Sequence, residues 1–296
     1  MTGVAGAWAQ RDRLRRAGSA RRSALGPVEG RIGVSILILF VAVVVVGPVV
    51  APFDPTESGV GIPDSGPSAA HLLGCDSLGR DVLSRLLHGG GSVIAVPLLA
   101  TALAFGLGGT AGMVAGYRGG ALDRLISVSV DTLLSIPPLL IVLVVITAAG
   151  SGPLVIVLSV GLVYTPRVAR ILRGATQGVA TSEYVQAAQA RGERTPWIVR
   201  QEILPNIAPT VFVEFAVRLT YVIIFVATLN FLGLGAQPPA SNWGLMVAES
   251  RGTIVQSPVA TLAPAIAIGM LSVGISMLAD SVTQSRRVPG AEEYAR

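Results

Sequence analysis

EYVQAAQARGERTPWIVRQEILPN, residues 183–206, separates two long apolar runs and carries three acids (Glu183, Glu193, Glu202) and three arginines (Arg191, Arg194, Arg200). The chain around it holds only 13% charged and 51% hydrophobic residues, and its mean hydropathy is +0.67. A soluble domain carries roughly 25% charge, so this stretch is an exception that needs a reason. Its punctuation is helical. Ser182 stands at an N-cap position, and Tyr184, Ala187, Ala188 and Arg191 share a face by i, i+3, i+4, i+7 spacing. That face is small at its centre, which lets another surface approach closely. Gly192 ends the run as a C′ residue would. Thr195 and Pro196 restart a helix as N-cap and N1, with Trp197, Ile198, Ile203 and Leu204 as apolar anchors. A plain connector needs only a few polar residues; helix, glycine corner, helix reads as a shaped projection.

Working outward, the apolar residues fall in blocks close to the 20 or so that a helix needs to cross a bilayer core of about 30 Å. Six blocks qualify, at 32–51, 92–116, 125–149, 153–172, 207–232 and 259–281. The fourth is cleanly apolar only from Pro153 to Thr165. It spans if its helix continues through Arg167 and Arg170 and those side chains reach the headgroups; a re-entrant hairpin of blocks three and four is the alternative. The expected fold is an all-α integral membrane protein with about six transmembrane helices. It divides into a basic tail at 1–30, a transmembrane domain at 31–283 and a second tail at 284–296.

All 22 basic residues are arginine. Six spans put both termini on one side, and that side carries 18 arginines against three opposite (Arg80, Arg85, Arg251), with Arg218 inside a span. The bias places both termini and residues 183–206 in the cytoplasm. The cluster Arg11–Arg22 ahead of the first block resembles a signal peptide's basic region, but the apolar run is too long and no small-x-small site follows. It reads as an uncleaved first span.

Outside the membrane, PFDPTESGVGIPDSGPS (52–68) is irregular chain. DSLGRDVLSRLLHGG (76–90) has helical spacing, with Asp76 or Ser77 as cap, and reads as an amphipathic helix resting on the outer membrane face. AQPPASNWG (236–244) makes a rigid turn, with Trp243 suited to the membrane interface. Cys75 is the single cysteine, so no intramolecular disulfide forms. His71 lies four residues before it, and two ligands do not make a metal site. Glu214 and Arg218 form an i, i+4 pair within the fifth span, as a structural pair or as part of a substrate path.

Ala187, Ala188, Gly192, Leu204 and Pro205 have the spacing of the EAA-x3-G-x9-I-x-LP loop, and the segment resembles that loop of ATP-binding-cassette importer permeases. HLLGCDSLGRDVLSRLLHGG (71–90), DTLLSIPPLL (131–140) and LNFLGLGAQPPASNWG (229–244) resemble the dipeptide/oligopeptide/nickel family, the C-type permease. Gln186 and Glu202 depart from the loop motif, and Val226 stands where relatives often carry Glu. The resemblance implies a type I importer permease with a cytoplasmic coupling helix, in the cell membrane, importing dipeptides or oligopeptides. The same machine importing nickel, another metal complex or haem is the alternative; an ATPase-independent channel or carrier leaves the loop unexplained. Implied partners are a second homologous permease, two ATP-binding-cassette ATPases and an extracytoplasmic substrate-binding protein, with no nucleic acid. The chain has no Gly-x4-Gly-Lys-Ser/Thr loop and no lysine to build one. ATP and Mg therefore belong to the ATPases, and this chain binds no cofactor or metal and has no catalytic residue. The resemblance makes Glu183, Tyr184, Ala187, Ala188, Arg191, Gly192, Glu193, Leu204 and Pro205 the ATPase-coupling loop. Ser135, Pro137, Glu214, Arg218 and Asn230 are candidates for the translocation path.

Overall fold

A computed structural model describes residues 28–284, and apart from one bridge between Cys75 and Asp81 its regular elements are helices. The N-terminal arginine cluster and the tail from residue 285 lie outside the described residues. Five helices are long and apolar enough to cross a membrane: α1 (Val28–Val50), α2 (Val82–Arg118), α5 (Pro153–Ala180), α7 (Thr195–Phe231) and α9 (Pro258–Gln284). A sixth apolar unit is broken into α3 (Gly120–Leu134) and α4 (Pro138–Ala149), which meet at 81°. Short helices α6 (Glu183–Ala190) and α8 (Trp243–Ser250) lie between the long ones.

The break corrects the single helix expected over 125–149. Pro137 and Pro138 offer no N–H, and each disfavours helical backbone in the residue before it. Ser135 meanwhile turns its hydroxyl back onto the Thr132 carbonyl at 2.7 Å. α5, by contrast, runs unbroken to Ala180 through Arg167, Arg170 and Arg173.

α2 and α5 pack closely because α2 presents Gly108, Gly112 and Gly116, four residues apart. A Cβ on Gly112 would lie 3.0 Å from Ala169 Cα, and one on Gly116 2.9 Å from Thr176 Cβ. In lipid, where apolar surface alone does not drive helices together, such close backbone approach supplies the dispersion contact that holds spans. Phe105–Gly109 of α2, at the start of this stripe, form a π-helical turn. A second core joins α1, α2, α7, α8 and α9 around Phe40, Ile223, Trp243 and Leu271.

The outer segment also differs from expectation. The helix starts at Val82, capped by Asp81, which accepts from Ser84 N at 2.7 Å, and it continues directly into the membrane. Arg80 and Arg85 are not the wet side of a surface helix: Arg85 is 0% exposed. The Asp76 carboxylate accepts from Leu78 N (2.9 Å), Arg80 N (3.0 Å), Arg80 Nε (2.7 Å) and Arg85 Nη1 (2.7 Å). Glu249 of α8 takes both guanidinium groups, at 2.9 Å and 2.7 Å. Trp243 is buried, not interfacial. Its indole N–H donates to the Leu86 carbonyl at 2.8 Å, and the ring fits over Gly89 and Gly90, where a Cβ would come within 2.9–3.2 Å of it. Segments 71–90 and 229–244 thus interlock into one outer cap.

Candidate functional site: the loop helix and the arginine cleft

α6 is an eight-residue helix held between the ends of α5 and α7. Ser182 occupies the N-cap position with extended backbone, but its hydroxyl makes no capping bond. At the other end Gly192 has φ +78°. Its N–H bonds to the Gln189 carbonyl (2.9 Å) and that of Glu193 to the Ala188 carbonyl (3.2 Å), a Schellman motif that uses two orphan carbonyls. The next helix starts at Thr195 with Arg194 as its N-cap, one residue earlier than the sequence suggested.

The face of α6 differs from the expected one. Val185 and Ala188 are fully buried against Ile198, Val199 and Ile203, so Ala188 packs into the chain's own core. Glu183, Tyr184, Ala187, Ala190, Arg191 and Gly192 are exposed. Glu183, Ala187 and Ala190 form the outward stripe, small at its centre as expected but rotated away from Ala188. Arg191 lies 3.5 Å from Glu202 and 3.9 Å from Glu193, and its guanidinium sits 5.8 Å from the Trp197 ring. Glu202, a departure from the loop motif, is therefore an internal partner. Leu204 is half-buried against the core and Pro205 exposed. Two further bonds brace the loop to the end of α2: Gln189 Nε2 to Tyr117 Oη (3.2 Å) and Arg118 Nε to Thr195 Oγ1 (3.3 Å).

The candidate path residues do not form one cluster. Ser135 and Pro137 are exposed at the α3–α4 break. Asn230 lies in the outer half, where its amide donates to the Val226 carbonyl (2.8 Å) and its oxygen accepts from Ala236 N (2.7 Å). Both bonds are internal, so it shapes the turn after α7. Glu214 and Arg218 are paired, Arg218 Nε donating to Glu214 Oε1 at 3.0 Å. Arg218 also lines a cleft of about 570 Å³ with Leu134, Tyr164, Arg167, Arg170, Ile171 and Tyr221. Of these, sequence reasoning identified only Arg218. Arg167 and Arg170 were read as headgroup contacts, although their three-residue spacing along one helix face was the available signal.

Residues 108–288 match the family described as binding-protein-dependent transport system inner membrane component. The chain belongs to this family. Similar relatives include the glutathione transport system permease protein GsiD of Pectobacterium atrosepticum, 36% identical over 219 residues, or 74% of this chain and 73% of that protein. The dipeptide transport system permease protein DppC of Haemophilus influenzae is 30% identical over 257 residues, 85% of this chain and 87% of that protein. Among solved structures, the inward-facing MetNI methionine ABC transporter aligns with a TM-score of 0.57 and 20% identity, covering 69% of this chain and 97% of that one. That likeness concerns the fold, the type I importer permease. As a binding-protein-dependent permease, the chain is a multi-pass inner-membrane subunit that is not itself an enzyme. Separate ATPase subunits hydrolyse ATP, and the family works with a substrate-binding protein and a second permease. An ATPase-independent carrier is thereby removed.

Proposed function

We propose that this permease serves an ATP-driven importer of dipeptides or oligopeptides, coupled to its ATPases through α6. The observation that carries the coupling is the exposed Glu183–Ala187–Ala190 stripe on a helix anchored from behind by Val185 and Ala188. A docked ATPase would meet Glu183, Tyr184, Ala187, Arg191, Gly192 and Glu193, while Ala188, Leu204 and Pro205 fix the helix from within and at its base. Because α6 is continuous in chain with α5 and α7 and braced to α2, closure of an ATPase dimer displaces three spans together. The relatives named for glutathione and dipeptide transport support peptide cargo. We assign two ATPases, one second permease and one extracytoplasmic binding protein to the complex, with ATP and Mg held by the ATPases. The arginine bias puts α6 and both termini in the cytoplasm, with a transmembrane domain at 31–283 between short tails.

The test is ATP hydrolysis by the complete complex in liposomes with its binding protein. Dipeptides, longer peptides, a nickel chelate and haem are added in turn. Peptides are expected to stimulate; stimulation by the metal compounds alone would overturn the cargo.

A further inference from the structure

Three arginines converge on the cleft between α3, α5 and α7, and only two of them have an acid. Arg170 pairs with Asp131 and Arg218 with Glu214. One turn below the cleft, Arg173 is answered by Asp123 through Nη2–Oδ2 at 2.7 Å. Along α5 the sequence of arginines 173, 170, 167 therefore meets α3 as pair, pair, vacancy. At the third position α3 has ended at Leu134, and the chain turns away through the 81° break. Arg167 is partly buried, and among the described residues no carboxylate reaches it. Its recorded contact is the Tyr164 ring, 5.5 Å from the guanidinium. Arg218 is 5.9 Å from the same ring and 5.9 Å from that of Tyr221.

Depth makes this arrangement informative. Arg167 follows the outer end of α5 at Pro153 by 14 residues, about 21 Å of rise, which is still within a core about 30 Å thick. A guanidinium without an acid at that depth is costly unless it faces a water-filled path or a ligand. The cleft's volume falls within the roughly 300–1,000 Å³ of small-ligand sites. Three arginines against Asp131 and Glu214 leave a net charge of one, enough to attract a single carboxylate. A planar guanidinium fork is suited to receive it. The other two arginines are already neutralised, which keeps the hold weak enough for release, as a transport station requires.

We infer that the vacancy is filled by cargo. The cleft is a carboxylate station centred on Arg167, with Tyr164 and Tyr221 beside it. The importer carries peptides by a free carboxylate, and acidic peptides in preference to neutral or C-amidated ones. This rests on the peptide reading above and names the substrate class within it.

The experiment uses the full complex with its binding protein in liposomes and measures ATP-dependent uptake of three labelled tripeptides: Ala-Glu-Ala, Ala-Ala-Ala and Ala-Ala-Ala amide. Wild type is compared with Arg167→Gln and Arg167→Lys. The binding protein is common to all preparations, so any change in the ratio between peptides belongs to the permease. Arg167→Gln is expected to lower Ala-Glu-Ala uptake about tenfold or more, the scale of one charge-assisted hydrogen bond. It should also bring Ala-Ala-Ala down to the rate of its amide, and Arg167→Lys should recover part of the loss. An equal loss for all three peptides, or an unchanged ratio, overturns the inference while leaving peptide import standing. So does failure of Arg167→Gln to retain the second permease on purification, because the missing acid would then belong to that subunit. Wild-type complex that takes up none of the three overturns the peptide reading itself and the inference with it.

Discussion

Asp76 shows what a single carboxylate does in the outer cap. It is buried, accepts from two backbone N–H groups and two guanidinium groups, and shares both arginines with Glu249. Removing one member of a buried ion cluster leaves uncompensated charge and costs about 3–5 kcal/mol. Asp76→Ala is expected to lower the thermal unfolding midpoint of the purified complex clearly, and Glu249→Gln to do so less, because Glu249 is 15% exposed and better hydrated. Cys75, next in sequence, reports the same event. Burial pushes its thiol up from the ordinary range, so little thiolate exists at neutral pH. Reaction of wild type with a membrane-impermeant maleimide should be slow there and accelerate only above the raised value. Asp76→Ala should bring the acceleration to lower pH; equal rates in both proteins would contradict the packed cap. The sequence placed these charges outside the membrane but not inside the protein. Arg80 and Arg85 have helical spacing that looks amphipathic, and nothing local points to their shared acid, which lies 169 residues beyond Arg80.

At the scale of one element, α6 was legible in its length, its glycine corner and its helical restart. The facing was not. An eight-residue helix with alanines on several sides has no strong apolar stripe, and its orientation is set by where Val185 finds Ile198 and Ile203. That distinction separates two substitutions that look alike in sequence. Ala187→Arg adds a long charge to the exposed stripe and is expected to leave the permease folded while abolishing co-purification of the ATPase. Ala188→Arg forces a cation into a fully buried position and is expected to lower the yield of folded permease itself, as buried unpaired charge does. Retention of the ATPase by a folded Ala187→Arg permease would count against the proposed docking face. The glycines of α2 carried a comparable signal, a small residue at every fourth position. Hydropathy averages hide it, because glycine neither raises nor lowers them much.

For the whole molecule, the apolar blocks translate into spans because bilayer thickness imposes a length on every helix that crosses it. The sixth unit escapes this logic, since a sum over residues 125–149 ignores the direction that Pro137 and Pro138 impose on the chain. Orientation rests on a different quantity, the distribution of arginine, and it fixes which end of the arginine cleft faces the ATPases. In a Cys75→Ser background, Glu57→Cys reports the outer loop and Gln186→Cys the exposed side of α6. An impermeant maleimide applied to intact spheroplasts is expected to label Glu57→Cys and spare Gln186→Cys, and inside-out vesicles should reverse the pattern. The opposite result would turn α6 away from ATP, and with it the route by which ATPase closure reaches α2, α5 and α7. Since the bias is 18 arginines to three, moving a few charges should not invert the outcome, and adding two arginines near residue 57 provides the control.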